Sequence, residues 1–249
     1  MKQRTSFLFS TLILVIFTAL PPDSGADQCL DEQQIERPSI GLVLGGGGAR
    51  GAAHVGVLKK LEELHIPVDY IAGTSMGAIV GGFYSAGMSP DQIEDVLVES
   101  DWVSLFSDAT RRRERPFRRK TDDNLGLYGP KLGVGADSSL LPGGAIAGQK
   151  VSLLLKSVLA QRVQSSDFSQ LPIPFRAIAA DLVTGDMIEL HQGDLAWALR
   201  ASMSVPGAFD PVEYGDALLI DGGVASNLPV DVVRNMGADI VIAVNVEFP

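Results

Sequence analysis

Short apolar runs alternate with segments of helical periodicity along most of the chain. The first run, 40–44, is followed by a glycine-rich turn and by a segment, 52–64, with apolar residues at every third position: Val55, Leu58, Leu61 and Leu64. Such alternation of apolar runs with amphipathic helices is typical of an α/β sheet with parallel strands. The same pattern predicts strands at 68–72, 175–181, 187–191, 217–220 and 240–246, and helices at 78–86, 150–163, 195–202 and 230–235.

The composition fits one globular domain and argues against several other classes. Of the 249 residues, 46% are hydrophobic and one is cysteine. The chain can therefore bury a core, but it cannot form an internal disulfide or a multi-cysteine zinc site. The formal net charge of −10 argues against general nucleic-acid binding, because phosphate contacts need a basic face.

The first 26 residues have the pattern of a secretory signal peptide. A start containing Lys2 and Arg4 precedes an apolar run, 7–20, and then prolines and small residues. A helix that spans a bilayer needs about 20 apolar residues, so we expect export to the periplasm, the outer membrane or the medium. An uncleaved anchor is the alternative. Residues 27–39 then form a linker and 40–249 one domain, which either ends at Pro249 or continues in a longer protein.

Residues 101–149 are predicted to form an irregular insert with a basic run. Seven of the ten residues from Arg111 to Lys120 are Arg or Lys. Such a run is either a solvated loop paired with nearby acids, such as Asp122 and Asp123, or a contact to an anionic lipid surface.

A glycine-rich loop joins the first strand to the first helix, with the sequence Gly45, Gly46, Gly47, Gly48, Ala49, Arg50 and Gly51. Glycines let backbone N–H groups point at an anion beside the positive end of a helix. The loop also matches the G-x-G-x-x-G pattern of dinucleotide sites, which requires an acidic residue at the end of the second strand. Here Asp69 lies at the start of that strand, which counts against a ribose site. A plain connecting turn is the third possibility.

The second motif is a G-x-S-x-G turn, Gly73 to Gly77, between a strand and a helix. Such a turn holds its serine, Ser75, in a strained conformation with the hydroxyl exposed, and side chains at the two outer glycines would collide. The N–H of Met76, at the start of the helix, could donate to an oxyanion.

A serine nucleophile needs a base, and the third motif offers a carboxylate. The three histidines, His54, His65 and His191, do not fit the usual order of serine, acid and histidine, because none follows Asp221. Asp221 ends an apolar strand, where burial can raise its pKa and make it a useful proton acceptor. A simple turn formed with Gly222 and Gly223 is the alternative.

Taken together and in this order, the three motifs resemble those of the patatin-like phospholipases, including exported bacterial members. The resemblance runs from about Leu42 to the helix near Arg234, and it implies a three-layer α/β/α fold with a mostly parallel central sheet. It also implies a dyad, with Ser75 as nucleophile and Asp221 as general base. The remaining motif residues are implied to form the oxyanion hole or to support it: Gly46, Gly47, Gly48, Arg50, Gly51, Gly73, Gly77, Gly222 and Gly223. Residues 201–206 are similar to the family's wall beside the active site.

The resemblance implies a lipid acyl hydrolase that acts on phospholipids or lysophospholipids through an acyl-enzyme, without cofactor or metal. Three alternatives stay open from the sequence. They are a carboxylesterase for small esters, a nucleotide-binding module that uses only the glycine loop, and a catalytically inactive lipid-binding domain.

Overall fold

The computed structural model describes residues 37–107, residue 117 and residues 144–247. The chain divides into two units between Arg37 and Pro38, and the fold described below belongs to the second unit. The signal peptide predicted at 1–26, the linker up to residue 36 and the basic run, apart from Phe117, lie outside the described residues.

Residues 37–107 and 144–247 contain nine strands and seven α-helices. The strands are β1 Ile40–Leu44, β2 Tyr70–Thr74, β3 Gly144–Ile146, β4 Phe175–Asp181, β5 Met187–Leu190, β6 Gly207–Phe209, β7 Val212–Tyr214, β8 Ala217–Asp221 and β9 Ile240–Val244. The helices are α1 His54–Glu63, α2 Met76–Ser85, α3 Pro90–Glu99, α4 Trp102–Leu105, α5 Gln149–Leu159, α6 Leu195–Ser202 and α7 Val230–Asn235. Short 3₁₀ turns cover Gly48–Ala53, Phe168–Gln170 and Gly222–Val224.

One mixed sheet forms the centre of the fold. Its strand order is β7-β8-β4-β2-β1-β9, and β5 also pairs with β4. The four strands β9, β1, β2 and β4 run parallel to one another, whereas β5 and β8 pair antiparallel with β4, and β7 pairs antiparallel with β8. Strands β3 and β6 form a separate parallel pair.

Helices cover both faces of the sheet, as expected from side chains that alternate between faces along each strand. Leu42 and Leu44 of β1 belong to a large core that includes apolar residues of α1, α2, α3, α5 and α6. Val43, between them, belongs to a smaller core with Val232 and Val233 of α7. The fold is therefore the predicted α/β/α arrangement, with one thick and one thin helical layer.

Most boundaries agree with the sequence pattern, and the differences have local causes. Strands β1 and β4 and helix α6 have the predicted bounds, but β2 begins two residues later than predicted. The Asp69 carboxylate accepts the N–H of Ile40 at 2.7 Å, so this residue caps the strand ends instead of lying inside β2. The short strands β6 and β7 were not predicted, since Pro206 and Pro211 interrupt the apolar pattern there. Helix α4 and strand β3 lie within residues 101–149, which were predicted to be irregular.

The register on β4 determines which strand ends meet. Thr74, the last residue of β2, pairs with Ile178, and Asp221, the last residue of β8, pairs with the adjacent Ala179. β2 runs parallel to β4 and β8 runs antiparallel to it, so the two strands approach from opposite ends of β4. Their last residues therefore lie beside adjacent residues of β4. The residues at the two strand ends are therefore brought together although they lie far apart in sequence.

Candidate active site

Ser75 occupies a strained turn between β2 and α2. Its backbone has φ 55° and ψ −122°, a region that residues other than glycine rarely adopt. A Cβ added at Gly73 would lie 2.6 Å from the Gly77 carbonyl oxygen, and one at Gly77 would lie 2.1 Å from the Leu44 carbonyl oxygen. Both positions therefore require glycine, as the G-x-S-x-G spacing predicts.

The hydroxyl of Ser75 points at the carboxylate of Asp221. Ser75 Oγ donates a hydrogen bond to Asp221 Oδ2 at 2.6 Å. The other carboxylate oxygen, Oδ1, accepts the N–H of Gly223 at 2.8 Å. The two residues are 8% and 7% exposed, so the pair is mostly shielded from water and still open on one side.

Burial sets the proton affinity of this pair. Desolvation raises the pKa of the Asp221 carboxyl above its usual value, and the hydrogen bonds from Ser75 and Gly223 partly oppose that shift. A carboxylate with a raised pKa is a stronger proton acceptor once it is ionised. Asp221 therefore has both the position and the direction of pKa shift that a general base needs.

The C-terminal turn of α6 contacts both members of the pair through backbone groups. The N–H of Ser75 donates to Ser202 Oγ at 3.0 Å, and that hydroxyl donates to the carbonyl oxygen of Ile178. The N–H of Asp221 donates to the Ser204 carbonyl oxygen at 2.9 Å. The segment that the resemblance placed in the wall of the site thus also holds the two residues in place.

The glycine loop follows β1 beside Ser75, and the side chain of Asn227, which lies outside the predicted motifs, holds it. Asn227 Oδ1 accepts the N–H of Gly46 at 2.9 Å, and Asn227 Nδ2 lies 3.4 Å from the Gly46 carbonyl oxygen. Gly46 therefore departs from the expectation of an oxyanion donor, because its N–H is already bonded. Among the described residues, the N–H groups of Gly47 and Gly48 have no acceptor. The N–H of Met76 lies in the first turn of α2, where amides lack partners within the helix.

Two further residues contact the backbone of the glycine loop, His54 at the start of α1 and Arg50 within the loop. His54, interpreted from the sequence as a packing residue, is fully buried, and its Nε2 lies 2.8 Å from the Gly45 carbonyl oxygen. A carbonyl oxygen only accepts, so Nε2 carries the hydrogen, and burial lowers the histidine pKa and favours the neutral ring. The N–H of Arg50 donates to the Gly47 carbonyl oxygen at 3.3 Å, while its side chain is exposed.

An apolar cavity of about 410 Å³ opens beside Ser75. Its volume lies in the range of about 300–1,000 Å³ typical of small-molecule sites. Its lining includes Leu97, Trp102, Phe106, Met203, Val205 and Phe209. Phe106 packs between two other rings, with centroids 5.6 Å from Trp102 and 5.5 Å from Phe209. The cavity can therefore accept an extended apolar group whose end reaches the serine.

The sequence matches one protein-family model over more than half of the chain. The family model described as "Patatin-like phospholipase" matches residues 42–234. The chain belongs to the patatin-like phospholipase family. This assignment confirms the predicted α/β fold with its mostly parallel mixed sheet.

Relatives in this family come from several kingdoms. A patatin-like phospholipase domain-containing protein of Caenorhabditis elegans is 36% identical over 228 residues, which cover 90% of this chain and 15% of that protein. A lysophospholipase of Mycosarcoma maydis is 34% identical over 212 residues, 84% of this chain and 10% of that protein. An uncharacterized NTE family protein of Mycobacterium tuberculosis is 32% identical over 208 residues, 84% of this chain and 49% of that protein. The chain thus spans at most about half the length of these relatives.

Because these relatives include eukaryotic proteins, they do not show that the chain belongs with the exported bacterial members of the family. That part of the resemblance stays a prediction.

Among solved structures, VipD from Legionella pneumophila aligns with a TM-score of 0.47 and 13% identity, over 77% of this chain and 47% of that chain.

The position of Asp69 counts against the dinucleotide alternative. The glycine loop follows the C-terminal end of β1, whereas Asp69 lies beside its N-terminal end, where it accepts the N–H of Ile40. A five-residue strand is about 16 Å long, so Asp69 lies at the opposite end of the strands from the glycine loop. A ribose bound at the loop would not reach it.

Within residues 37–107 and 144–247, no group of three or more His, Cys, Asp or Glu side chains is placed to hold a metal ion. In the same part of the chain, no helix combines the length and apolar character needed to cross a membrane.

Proposed function

We propose that the chain is a serine lipid acyl hydrolase of the phospholipase A or lysophospholipase type, with Ser75 and Asp221 as its catalytic dyad. The observation that carries the proposal is the 2.6 Å hydrogen bond between Ser75 Oγ and the buried Asp221 carboxylate. The strained backbone of Ser75 supports it, because such strain persists where the surrounding structure maintains it for a function.

Acylation follows from the positions of these groups. Asp221 takes the proton of Ser75 Oγ while the oxygen attacks the carbonyl carbon of a lipid ester. The carbonyl oxygen becomes an oxyanion, and the N–H groups of Gly47, Gly48 and Met76 donate to it. Removing one such donor typically costs about 10²–10³ in rate. When the carbonyl re-forms, the alcohol leaves with the proton from Asp221, and the acyl group stays on Ser75.

Deacylation repeats the same chemistry with water. Asp221 takes a proton from a water molecule as it attacks the acyl-enzyme, and the oxyanion forms in the same place. Collapse releases the fatty acid and returns the proton to Ser75 Oγ. Since Asp221 acts only when ionised, activity falls as the pH drops through its raised pKa.

The apolar lining of the cavity supports a fatty acyl chain as the group that binds beside Ser75. Burial of a methylene group is worth about 0.8 kcal/mol. We therefore expect kcat/KM to rise with acyl length until the cavity is filled, which would separate a lipid hydrolase from an esterase for small esters.

The direct test measures fatty acid released from phosphatidylcholine and lysophosphatidylcholine, with a short-chain nitrophenyl ester as comparison. Ser75→Ala should lower kcat/KM by at least about 10³-fold, since it removes the nucleophile. Ser157→Ala changes an exposed serine on α5 and should match the wild type. Release that persists in Ser75→Ala would contradict the proposal.

We also propose that the protein is exported and that the run from Arg111 to Lys120 contacts anionic lipid. The signal-like composition of residues 1–26 and the seven basic residues of the run support these two proposals. A mature N-terminus near residue 27 would support export, and an intact Met1 would contradict cleavage. Binding to anionic vesicles that is unchanged, with unchanged salt dependence, after neutralisation of the arginines would contradict the lipid contact.

A further inference from the structure

Ser202 is a buried serine whose hydroxyl makes two hydrogen bonds. It is 0% exposed, and its hydroxyl both accepts the N–H of Ser75 and donates to the Ile178 carbonyl oxygen. Ser85, at the end of α2, is equally buried, and its hydroxyl has no hydrogen-bond partner among the described residues. Burial alone therefore does not explain the two bonds of Ser202.

The bonds of Ser202 act on the strained residue of the site. Ser75 has a positive φ, and its N–H would otherwise be buried without an acceptor. A buried N–H without a partner is destabilising, so the Ser202 hydroxyl favours the one backbone orientation that pairs it. That orientation is the one in which Ser75 Oγ lies 2.6 Å from Asp221.

The same turn of chain also holds Asp221. Two residues after Ser202, the carbonyl oxygen of Ser204 accepts the N–H of Asp221 at 2.9 Å. Ser204 is held in turn, because its hydroxyl donates to the Arg200 carbonyl oxygen at 2.9 Å and accepts from the Arg200 guanidinium. Arg200 also lies over the ring of Phe209, 4.7 Å from the centroid, in the cavity wall. The segment 200–204 therefore contacts Ser75, Asp221 and the cavity residue Phe209.

We propose that Ser202 is a positioning residue that fixes the distance between the Ser75 hydroxyl and the Asp221 carboxylate. This inference rests on the proposed function, because it concerns the geometry of that dyad. Ser202 contacts neither substrate nor the reacting atoms, and it acts through the backbone of Ser75.

The test compares steady-state hydrolysis of one lysophospholipid by the wild type, Ser202→Ala, Ser202→Thr and Ser85→Ala. In Ser202→Ala the Ser75 N–H loses its acceptor, and we expect kcat to fall about 10- to 100-fold, as small misplacements of reacting groups do. KM should change less than about threefold, because the Ser202 hydroxyl does not line the cavity that binds the acyl chain.

The pH profile adds a measurement that a purely structural role would leave unchanged. The hydrogen bond from Ser75 lowers the pKa of Asp221. When Ser75 is no longer held, that bond weakens, and the acid limb of kcat should move to higher pH in Ser202→Ala. Ser202→Thr keeps a hydroxyl and adds one methyl group in a packed site. It should lose thermal stability but keep kcat and the pH profile close to those of the wild type.

Ser85→Ala controls for the loss of a buried hydroxyl as such and should match the wild type in kcat and pH profile. If kcat falls in proportion to thermal stability across the Ser202 variants, or if Ser202→Ala retains the wild-type kcat, the positioning role is overturned while the dyad stands. A wild type that releases no fatty acid overturns the proposed function instead, and with it the inference.

Discussion

The two sides of the cavity are built from different interactions. On the side of Ser75 and Asp221, backbone and side-chain groups of β2, β8 and the end of α6 are joined by hydrogen bonds of 2.6–3.0 Å. In another part of the cavity lining, Trp102 of α4, Phe106 directly after it and Phe209 pack as aromatic rings with centroids 5.5–5.6 Å apart. Phe106 in this wall is 37% exposed, whereas the dyad residues are below 10%.

This difference separates chemistry from substrate selection. Hydrogen bonds are directional, so the dyad side has one low-energy geometry. Apolar contacts are not directional, so the aromatic side can adapt to acyl chains of different length. We therefore expect substitutions on the dyad side to change mainly kcat, and substitutions on the aromatic side to change mainly KM and chain-length preference.

After Ser202, the largest effect among the supporting residues is expected for Asn227→Ala. This change frees the N–H of Gly46 and removes the side chain that holds the glycine loop. We expect kcat to fall about tenfold or more, because the neighbouring oxyanion donors lose their fixed positions. Asn235→Ala, at the exposed end of α7, is the matched control and should leave steady-state ester hydrolysis unchanged. An Asn227→Ala enzyme with normal kcat and raised KM would contradict the division between residues that set kcat and residues that set KM.

An intermediate effect is expected for Phe106→Ala. Truncating this ring removes about 1–2 kcal/mol of apolar contact with a long acyl chain, so KM for long-chain esters should rise about 5- to 30-fold. Short-chain esters, which do not reach the ring, should be hydrolysed as before. Val103→Ala, on helix α4 just before Phe106 and 85% exposed, should change neither. If Phe106→Ala hydrolysed short-chain and long-chain esters equally poorly, the aromatic residues would be acting on the geometry of Ser75 and Asp221 and not on binding of the acyl chain.

The smallest effect concerns the stability of the strained turn. Ser75→Gly and Ser75→Ala both lack the hydroxyl, but glycine tolerates φ 55° with ψ −122° and alanine does not. We expect Ser75→Gly to be more stable than Ser75→Ala by about 1 kcal/mol in urea unfolding. Equal stabilities would show that the dyad side stores no backbone strain.

The sequence pattern predicts those features that depend on neighbouring residues. The apolar run of β4, the helix α6 and the spacing of Gly73, Ser75 and Gly77 are local, and the structure has them where they were predicted. Strand β2 is shifted because the Asp69 carboxylate is used to cap β1, which the local pattern does not show.

The contacts that complete the site could not be predicted in the same way. Asn227 reaches Gly46 across 181 positions, and Ser202 reaches Ser75 across 127. Both pairs depend on how distant elements are placed in and around the sheet. The family resemblance could pair Ser75 with Asp221 and could place residues 201–206 beside the site, because these residues lie in recognisable motifs. It assigned Ser202 no contact with Ser75, and Asn227 lies in none of the motifs.

The most direct test of the account follows the reactivity of Ser75 against pH. The rate constant for labelling by a fluorophosphonate would be measured for the wild type, Asp221→Asn and the exposed control Asp216→Asn. We predict that wild-type labelling falls as the pH drops through a pKa above that of an ordinary aspartate, because burial raises the pKa of Asp221. Asp221→Asn should be labelled about 10²–10⁴ times more slowly, without that titration. Labelling of Asp221→Asn at the wild-type rate would contradict the claim that this carboxylate is the base.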